Sequence, residues 1–144
     1  MGEAEDRLII RSAFEQDLSS IEAIQSSSPE ASQWAPGDYL ALDCRVAVAE
    51  GSVIGFVVSR RVADGEWEIL NLAVTPQARR KGIGRQLLGD ILSDARGDFF
   101  LEVRESNTGA RRFYEHLGFE VVTTRPGYYS SPEESGLVMK FHSC

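Results

Sequence analysis

WEILNLAVTPQARRKGIGRQLLGDIL, residues Trp67 to Leu92, is the stretch whose reading decides the fold. WEILNLAV (Trp67–Val74) is rich in β-formers and reads as a strand. Thr75 to Lys81 is polar and contains Pro76. From Gly82 onward Ile83, Leu87, Leu88, Ile91 and Leu92 recur at helical spacing. A basic, glycine-bearing turn, RRKGIG (Arg79–Gly84), therefore joins a strand to a helix. Its glycines let the backbone approach a ligand and aim successive N–H groups at it. The helix adds its positive dipole end, and Arg79, Arg80, Lys81 and Arg85 add full charges. A diphosphate uses all three features. A P-loop would need a Gly-Lys-Ser/Thr run that is absent. A G-x-G-x-x-G turn would need glycine where Leu87 stands. A helix start with a solvated basic face is the other reading of the same residues.

Upstream, RLIIRSA (Arg7–Ala13) reads as a strand. Asp17 is placed to cap a helix carrying Leu18, Ile21 and Ile24 on one stripe. SSSPEAS (Ser26–Ser32) is a loop, and Pro36 opens a short helix to Leu42. RVAVAE, a turn at Gly51-Ser52 and VIGFVVSRRV form a hairpin, and Asp64-Gly65 turns into the Trp67 strand. Downstream, DFFLEV (Asp98–Val103) is a strand. Asn107 caps a helix striped by Ala110, Phe113, Tyr114 and Leu117, which Gly118 ends. FEVVTT (Phe119–Thr124) is a strand, RPGYYSSPEES a loop, and GLVMKF (Gly136–Phe141) the last strand. The order β-α-α-β-β-β-α-β-α-β-β describes an α/β (α+β) chain with an antiparallel meander and helical crossovers.

Length and composition set the bounds around this pattern. One domain spanning residues 1–144 is expected, with no repeat or linker. Fifteen Lys and Arg against 22 Asp and Glu give a net charge of -7. That balance disfavours nucleic-acid binding and favours basic partners. Four of the fifteen positive charges lie between Arg79 and Arg85, so an anionic ligand is expected at one place. No apolar run approaches the ~20 residues of a membrane span, and the acidic start MGEAED is unlike a signal peptide. Cys44 and Cys144 make no disulfide framework, and His116 and His142 lack metal-ligand spacing. A cytoplasmic chain with no metal is expected.

The segments LNLAV, Arg79-x-x-Gly82-x-Gly84, LEVRESN (Leu101–Asn107) and FYEHLGF (Phe113–Phe119), in that order, resemble the GNAT superfamily of N-acetyltransferases. The last two are most similar to those of bacterial ribosomal-protein-alanine N-acetyltransferases. The resemblance is strong over about Glu68 to Phe119 and weaker before residue 60. It implies a mixed, mostly antiparallel sheet of about seven strands with about four helices, and acetyl-CoA as co-substrate. It also implies that backbone groups of Leu72, Ala73 and Val74 pair with the pantetheine arm. Arg79, Arg80, Lys81, Gly82, Ile83, Gly84 and Arg85 would wrap the pyrophosphate, and Asn107 would reach the pantetheine. For Asn107 a helix cap is an equal reading, and both can hold.

Acetyl transfer from a thioester to an amine needs a base for the amine, a donor for the oxyanion and a proton for the thiolate. Glu102 is the candidate base. It alternates with Phe99, Leu101 and Val103 on a strand expected to be central, where glutamate is uncommon. The alternative is an ion pair with Arg104 or another cation near the strand end. Tyr114 is the candidate acid, with a core aromatic beside Phe113 as the alternative. The resemblance puts the acceptor near Trp34, Tyr128 and Tyr129, with hydrophobic plugging of the sheet edge as an equal reading of the two tyrosines, and a basic peptide or protein N-terminus is the expected acceptor. SSSPEASQW departs from the Phe-Pro-Trp pattern usual near the family's first loop. An α-amine, with a pKa of about 8, is neutral at pH 7 far more often than a lysine amine near 10.4, which suits a modest base. A small-molecule amine acceptor and a non-catalytic acyl-CoA-binding module are the competing readings. The oligomeric state, monomer or dimer, is left open.

Overall fold

Alternating apolar residues and well-placed turn residues divide the chain into seven strands. The computed structural model describes residues 8–28, 35–129 and 133–143. The acidic start, Trp34 and Cys144 lie outside them. The strands are β1 (Leu8–Ser12), β2 (Asp43–Ala49), β3 (Ser52–Ala63), β4 (Glu66–Val74), β5 (Gly97–Arg104), β6 (Glu120–Tyr129) and β7 (Glu134–Ser143). The α-helices are α1 (Leu18–Ser26), α2 (Ile83–Leu92) and α3 (Thr108–His116). The strand order is β1-β2-β3-β4-β5-β7-β6. β4 and β5 run parallel, whereas β1–β2, β2–β3, β5–β7 and β6–β7 are antiparallel. The mixed, mostly antiparallel sheet expected of the chain is present. Of the four expected helices, the one opened by Pro36 is a six-residue 3-10 segment, Pro36–Ala41. Its apolar pattern is too short for an α-helical stripe, and it is held by the burial of Tyr39.

Two compact units divide the chain, Met1–Arg60 with Ile69–Asp94, and Arg61–Glu68 with Ala95–Cys144. In the first, Ile21 and Ile24 of α1 pack with Tyr39, Val46, Phe56 and Val58. Burying a side chain such as Ile21 is worth roughly 1.5–3 kcal/mol. Cys44 is buried within β2 as a small core residue, and burial pushes its thiol up to about 12. The β2–β3 turn is Glu50–Gly51, one residue earlier than Gly51-Ser52. Both residues have positive φ, and Ala49 pairs with Ser52, as a two-residue primed turn requires. The β2–β3 register shifts between Ala47 and Val48, and Gly55, opposite Ala47, lies close to the next strand. A Cβ there would stand 3.1 Å from the Ala73 carbonyl oxygen and 3.1 Å from Leu87 Cδ1. Asp17 does not cap α1 through its side chain. It is buried and accepts from Arg11 Nη1 at 2.7 Å and from the Phe14 N–H at 2.7 Å.

In the second unit, the start of β4 pairs with β5 from Glu66↔Asp98 to Glu68↔Phe100. Gly97 permits this approach, because a Cβ there would collide with the Gly65 carbonyl oxygen at 2.2 Å. Trp67 stacks on Phe99 with ring centroids 5.2 Å apart. β5 buries Phe99, Leu101 and Val103 and turns Phe100, Glu102 and Arg104 to its other face. β7 pairs with all of β5, from Gly97↔Ser143 to Arg104↔Gly136. The expected loop Arg125–Ser135 is shorter. β6 continues to Tyr129, with Arg125 opposite Gly136 and Tyr129 opposite Glu134. The register shift between them falls at Pro126-Gly127, where Gly127 has φ 62. The ladder thus absorbs the residues that read as a loop.

Candidate active site

The expected residues fall into two sets, one in each unit. The first is the turn between β4 and α2. Gly82 has φ 78 and ψ 12, and its carbonyl accepts the Gln86 N–H at 3.0 Å, which starts the helix. The following first-turn amides have no acceptor within the helix. A Cβ on Gly82 would meet no protein atom within 4 Å, so the space over it is open. Arg80 also takes the left-handed conformation, φ 65, which costs a non-glycine residue roughly 1–2 kcal/mol. Arg80, Lys81 and Arg85 are exposed and form no ion pair among the described residues. The exposed cations, orphan amides and open glycine fit a diphosphate.

Other groups of this set are already engaged. Arg79, expected on the ligand, donates from Nε to the Val74 carbonyl at 3.1 Å and from Nη2 to Ser28 Oγ at 2.9 Å. The Leu72 N–H donates to Asn71 Oδ1 at 3.0 Å. Asn71 is buried with Gln25 and Tyr39, and its Nδ2 donates to Gln25 Oε1 at 3.0 Å. The side chain of Ile83 is buried in the core, so only its backbone belongs to the turn. Ala73 and Gly84 lie beside these positions, Ala73 buried and Gly84 within the first turn of α2.

The second set surrounds Glu102 on β5. The Glu102 side chain is 18% exposed, and its Oε1 accepts from Arg125 Nη1 at 2.9 Å. Its Oε2 is buried with no hydrogen-bond partner among the described residues. The carboxylate borders a cavity of about 220 Å³ lined by Val62, Glu68, Phe100, Leu101, Arg125 and Val138. A Cβ on Gly136 would lie 2.7 Å from Oε2, so the carboxylate sits where that residue has no side chain. The cation expected for the ion-pair alternative is Arg125 of β6. Arg104 instead donates to Glu134 Oε1 at 3.1 Å and lies 4.3 Å from the Tyr129 ring centroid. Arg125 lies 4.0 Å from the Tyr128 ring centroid, and the two tyrosines meet edge-on at 5.0 Å.

Electrostatics follow these contacts. Burial, then the Glu102 charge, push the Tyr129 phenol up to about 12. The Ser106 N–H at 3.0 Å, then Arg104, hold the Glu134 carboxyl below its ordinary value. Tyr114 is buried, edge-on to Phe113 at 5.2 Å and to Phe119 at 5.6 Å. Burial raises its phenol, so it carries its proton at neutral pH. Asn107 Oδ1 accepts the Ala110 N–H at 3.1 Å, which makes it the expected cap. His142, set aside by its spacing, pairs with Asp98 at 2.7 Å. No group of three His, Cys, Asp or Glu among the described residues is placed to hold a metal. None of the described helices is long and apolar enough to cross a membrane.

Residues 9–119 match the family described as Acetyltransferase (GNAT) family. The chain belongs to the GNAT acetyltransferase family. Its open turn and strand glutamate lie inside the matched range, whereas Arg125, Tyr128 and Tyr129 lie beyond it. Among family members it is 36% identical over 90 residues to the [Ribosomal protein bS18]-alanine N-acetyltransferase of Haemophilus ducreyi. That stretch covers 60% of this chain and 61% of the relative, so the chain spans less than two thirds of it. The crystal structure of the ribosomal-protein-S18-alanine N-acetyltransferase from Escherichia coli is similar, with TM-score 0.81 and 26% identity. It covers 95% of this chain and 94% of the other. Ard1 from Thermoplasma volcanium has TM-score 0.84 and 27% identity over 95% of this chain and 98% of its own.

Arg125, Glu134 and Gly136 are the site residues that sequence reasoning missed. The available signal was weak: an arginine two residues before Gly127, and a glycine inside an apolar strand, which often marks close approach by another group.

Proposed function

We propose that this chain transfers an acetyl group from acetyl-CoA to the N-terminal α-amine of a protein, of the kind its ribosomal-protein-alanine relatives act on. The observation that carries this reading is Glu102. One oxygen is held by Arg125, while the other is buried at a cavity and has no partner among the described residues. A buried carboxylate oxygen left without a donor is costly, and an amine N–H is a donor that would satisfy it. Tyr128 is tied to that carboxylate through Arg125 and meets Tyr129 edge-on, which supports reading the two rings as the grip on a peptide acceptor.

Glu102 takes a proton from the acceptor amine as its lone pair attacks the thioester carbonyl. The new C–N bond forms, the C–S bond breaks, and Tyr114 gives the departing thiolate its proton. Arg80, Lys81, Arg85 and the amides opening α2 hold the diphosphate. Leu72, Ala73 and Val74 offer backbone to the pantetheine, less the Leu72 N–H and the Val74 carbonyl already engaged. Asn107 contributes beside its capping role. The net charge of -7 attracts a basic acceptor tail, and a cytoplasmic setting accords with this chemistry.

A panel with labelled acetyl-CoA tests the reading: basic peptides with an N-terminal alanine against the same peptides blocked at the α-amine, and against free polyamines and amino acids. Label on the unblocked peptides alone is the expected result. Turnover of free amines only would overturn the peptide reading.

A further inference from the structure

The cavity at Glu102 poses a problem that the base assignment leaves open. A glutamate carboxylate turns about a broad, nearly two-fold χ3, so either oxygen can face a ligand. Here the choice is made. Arg125 reaches Oε1 alone, through one nitrogen, at 2.9 Å. Oε2 is turned into the space left by Gly136. Val62, Phe100, Leu101 and Val138 offer no side-chain donor, Glu68 brings another acceptor carboxyl, and the guanidinium of Arg125 is already on the other oxygen. The donor for Oε2 has to come from outside these residues.

Arg125 needs support to act this way. Its side chain is 52% exposed, and a long exposed arginine otherwise samples many rotamers. The Tyr128 ring, 4.0 Å from the guanidinium, supplies a second contact. Tyr128 is itself 50% exposed. A peptide laid against Tyr128 would therefore press on the same clamp that orients the carboxylate.

We infer that Arg125 is a positioning residue. Its guanidinium, between the Glu102 carboxylate and the Tyr128 ring, pins Oε1 and so presents Oε2 to the acceptor amine. This rests on the function proposed above and adds to it a residue outside the matched family range. A single end-on contact, unlike a bidentate one, is within the reach of a lysine.

The test is steady-state turnover of acetyl-CoA with an alanine-starting basic peptide, plus calorimetric binding of acetyl-CoA. The variants are Arg125→Ala, Arg125→Lys, Glu102→Gln and Glu102→Gln/Arg125→Ala. Arg125→Ala is expected to lower kcat by about tenfold or more, as misplaced catalytic groups do. Acetyl-CoA affinity should be unchanged, and Arg125→Lys should recover most of the loss. In the Glu102→Gln background, removing Arg125 should cost nothing further, because the two act as one unit. Since Arg125 is half-exposed, a retained thermal midpoint is expected to accompany these losses. Unchanged or raised kcat in Arg125→Ala overturns the inference, as do losses that multiply in the double variant. A fully active Glu102→Gln enzyme would sink the base role proposed for Glu102 and this inference together, whereas a parent enzyme that leaves the alanine peptide unlabelled would sink the proposed function. An inactive Glu102→Gln enzyme beside a fully active Arg125→Ala enzyme would sink this inference alone.

Discussion

The β4–α2 turn and the carboxylate cluster of β5, β6 and β7 handle charge in opposite ways. In the turn, Arg80, Lys81 and Arg85 stand exposed and outside any ion pair among the described residues. In the cluster, Arg125, Arg104 and Glu134 are each bonded, and a single oxygen of Glu102 is held back. Unpaired cations favour an anion that arrives with its own charge, over a distance set by screening. A cross-linked cluster fixes one atom in place and gives little to long-range attraction. The turn is thus suited to affinity and the cluster to chemistry, and substitutions should separate the two.

The largest effects should come from the cluster's unit. Glu102→Gln keeps the shape and removes the base, and kcat should fall by about 10²–10⁴ with acetyl-CoA affinity unchanged. Tyr114→Phe keeps both edge-on ring contacts and removes only the phenolic proton. A fall in kcat of about 10² with an unchanged thermal midpoint is expected if the phenol serves the thiolate. Unchanged turnover would leave Tyr114 as the core aromatic that its contacts with Phe113 and Phe119 also describe.

The same contrast explains what the sequence disclosed. The turn is contiguous, so Gly82, its helix and its charges could be read from a dozen residues. The succession of elements along the chain and the caps at Asn107 and Gly118 were legible for the same reason: each is a local pattern. The cluster is assembled from residues 102 to 136, and its decisive contact crosses from β5 to β6. Arg125-Pro126-Gly127 has the local signature of a loop. Only pairing with Glu134 and Gly136 of β7 makes it strand. Even the turn hid one fact. Arg79 has extended backbone and Arg80 is left-handed, so neighbouring arginines part company, and Arg79 braces Ser28 and Val74. Asp17 misled similarly: a cap by position, it bonds to Arg11 and to the Phe14 N–H.

A middle-sized effect should come from the turn. Gly82→Val forces a β-branched residue to φ 78 and puts its side chain into space that no protein atom fills. Acetyl-CoA affinity should weaken by about tenfold, or ~1.4 kcal/mol, from strain and lost approach. Turnover at saturating acetyl-CoA should stay near the parent value. A variant that binds normally but turns over slowly would erase the division between affinity and chemistry.

The smallest effect concerns the edge of the cluster and shows itself in pH. Glu134 is held below its ordinary carboxylate value by the Ser106 N–H and Arg104, so its charged form is favoured in the folded state. A lowered folded-state value stabilises the protein fully above the unfolded value of about 4.3, and the gain disappears as pH falls through the folded value. Glu134→Gln should therefore lower the thermal midpoint slightly at pH 7 and match the parent in strong acid. Turnover should change less than in either preceding set, because Glu134 touches Arg104 and Ser106 and neither oxygen of Glu102. Equal midpoints at both pH values would mean the Glu134 contacts add nothing to the folded state. A loss of turnover as large as that of Glu102→Gln would mean the cluster acts as one indivisible unit, with no oxygen held in reserve.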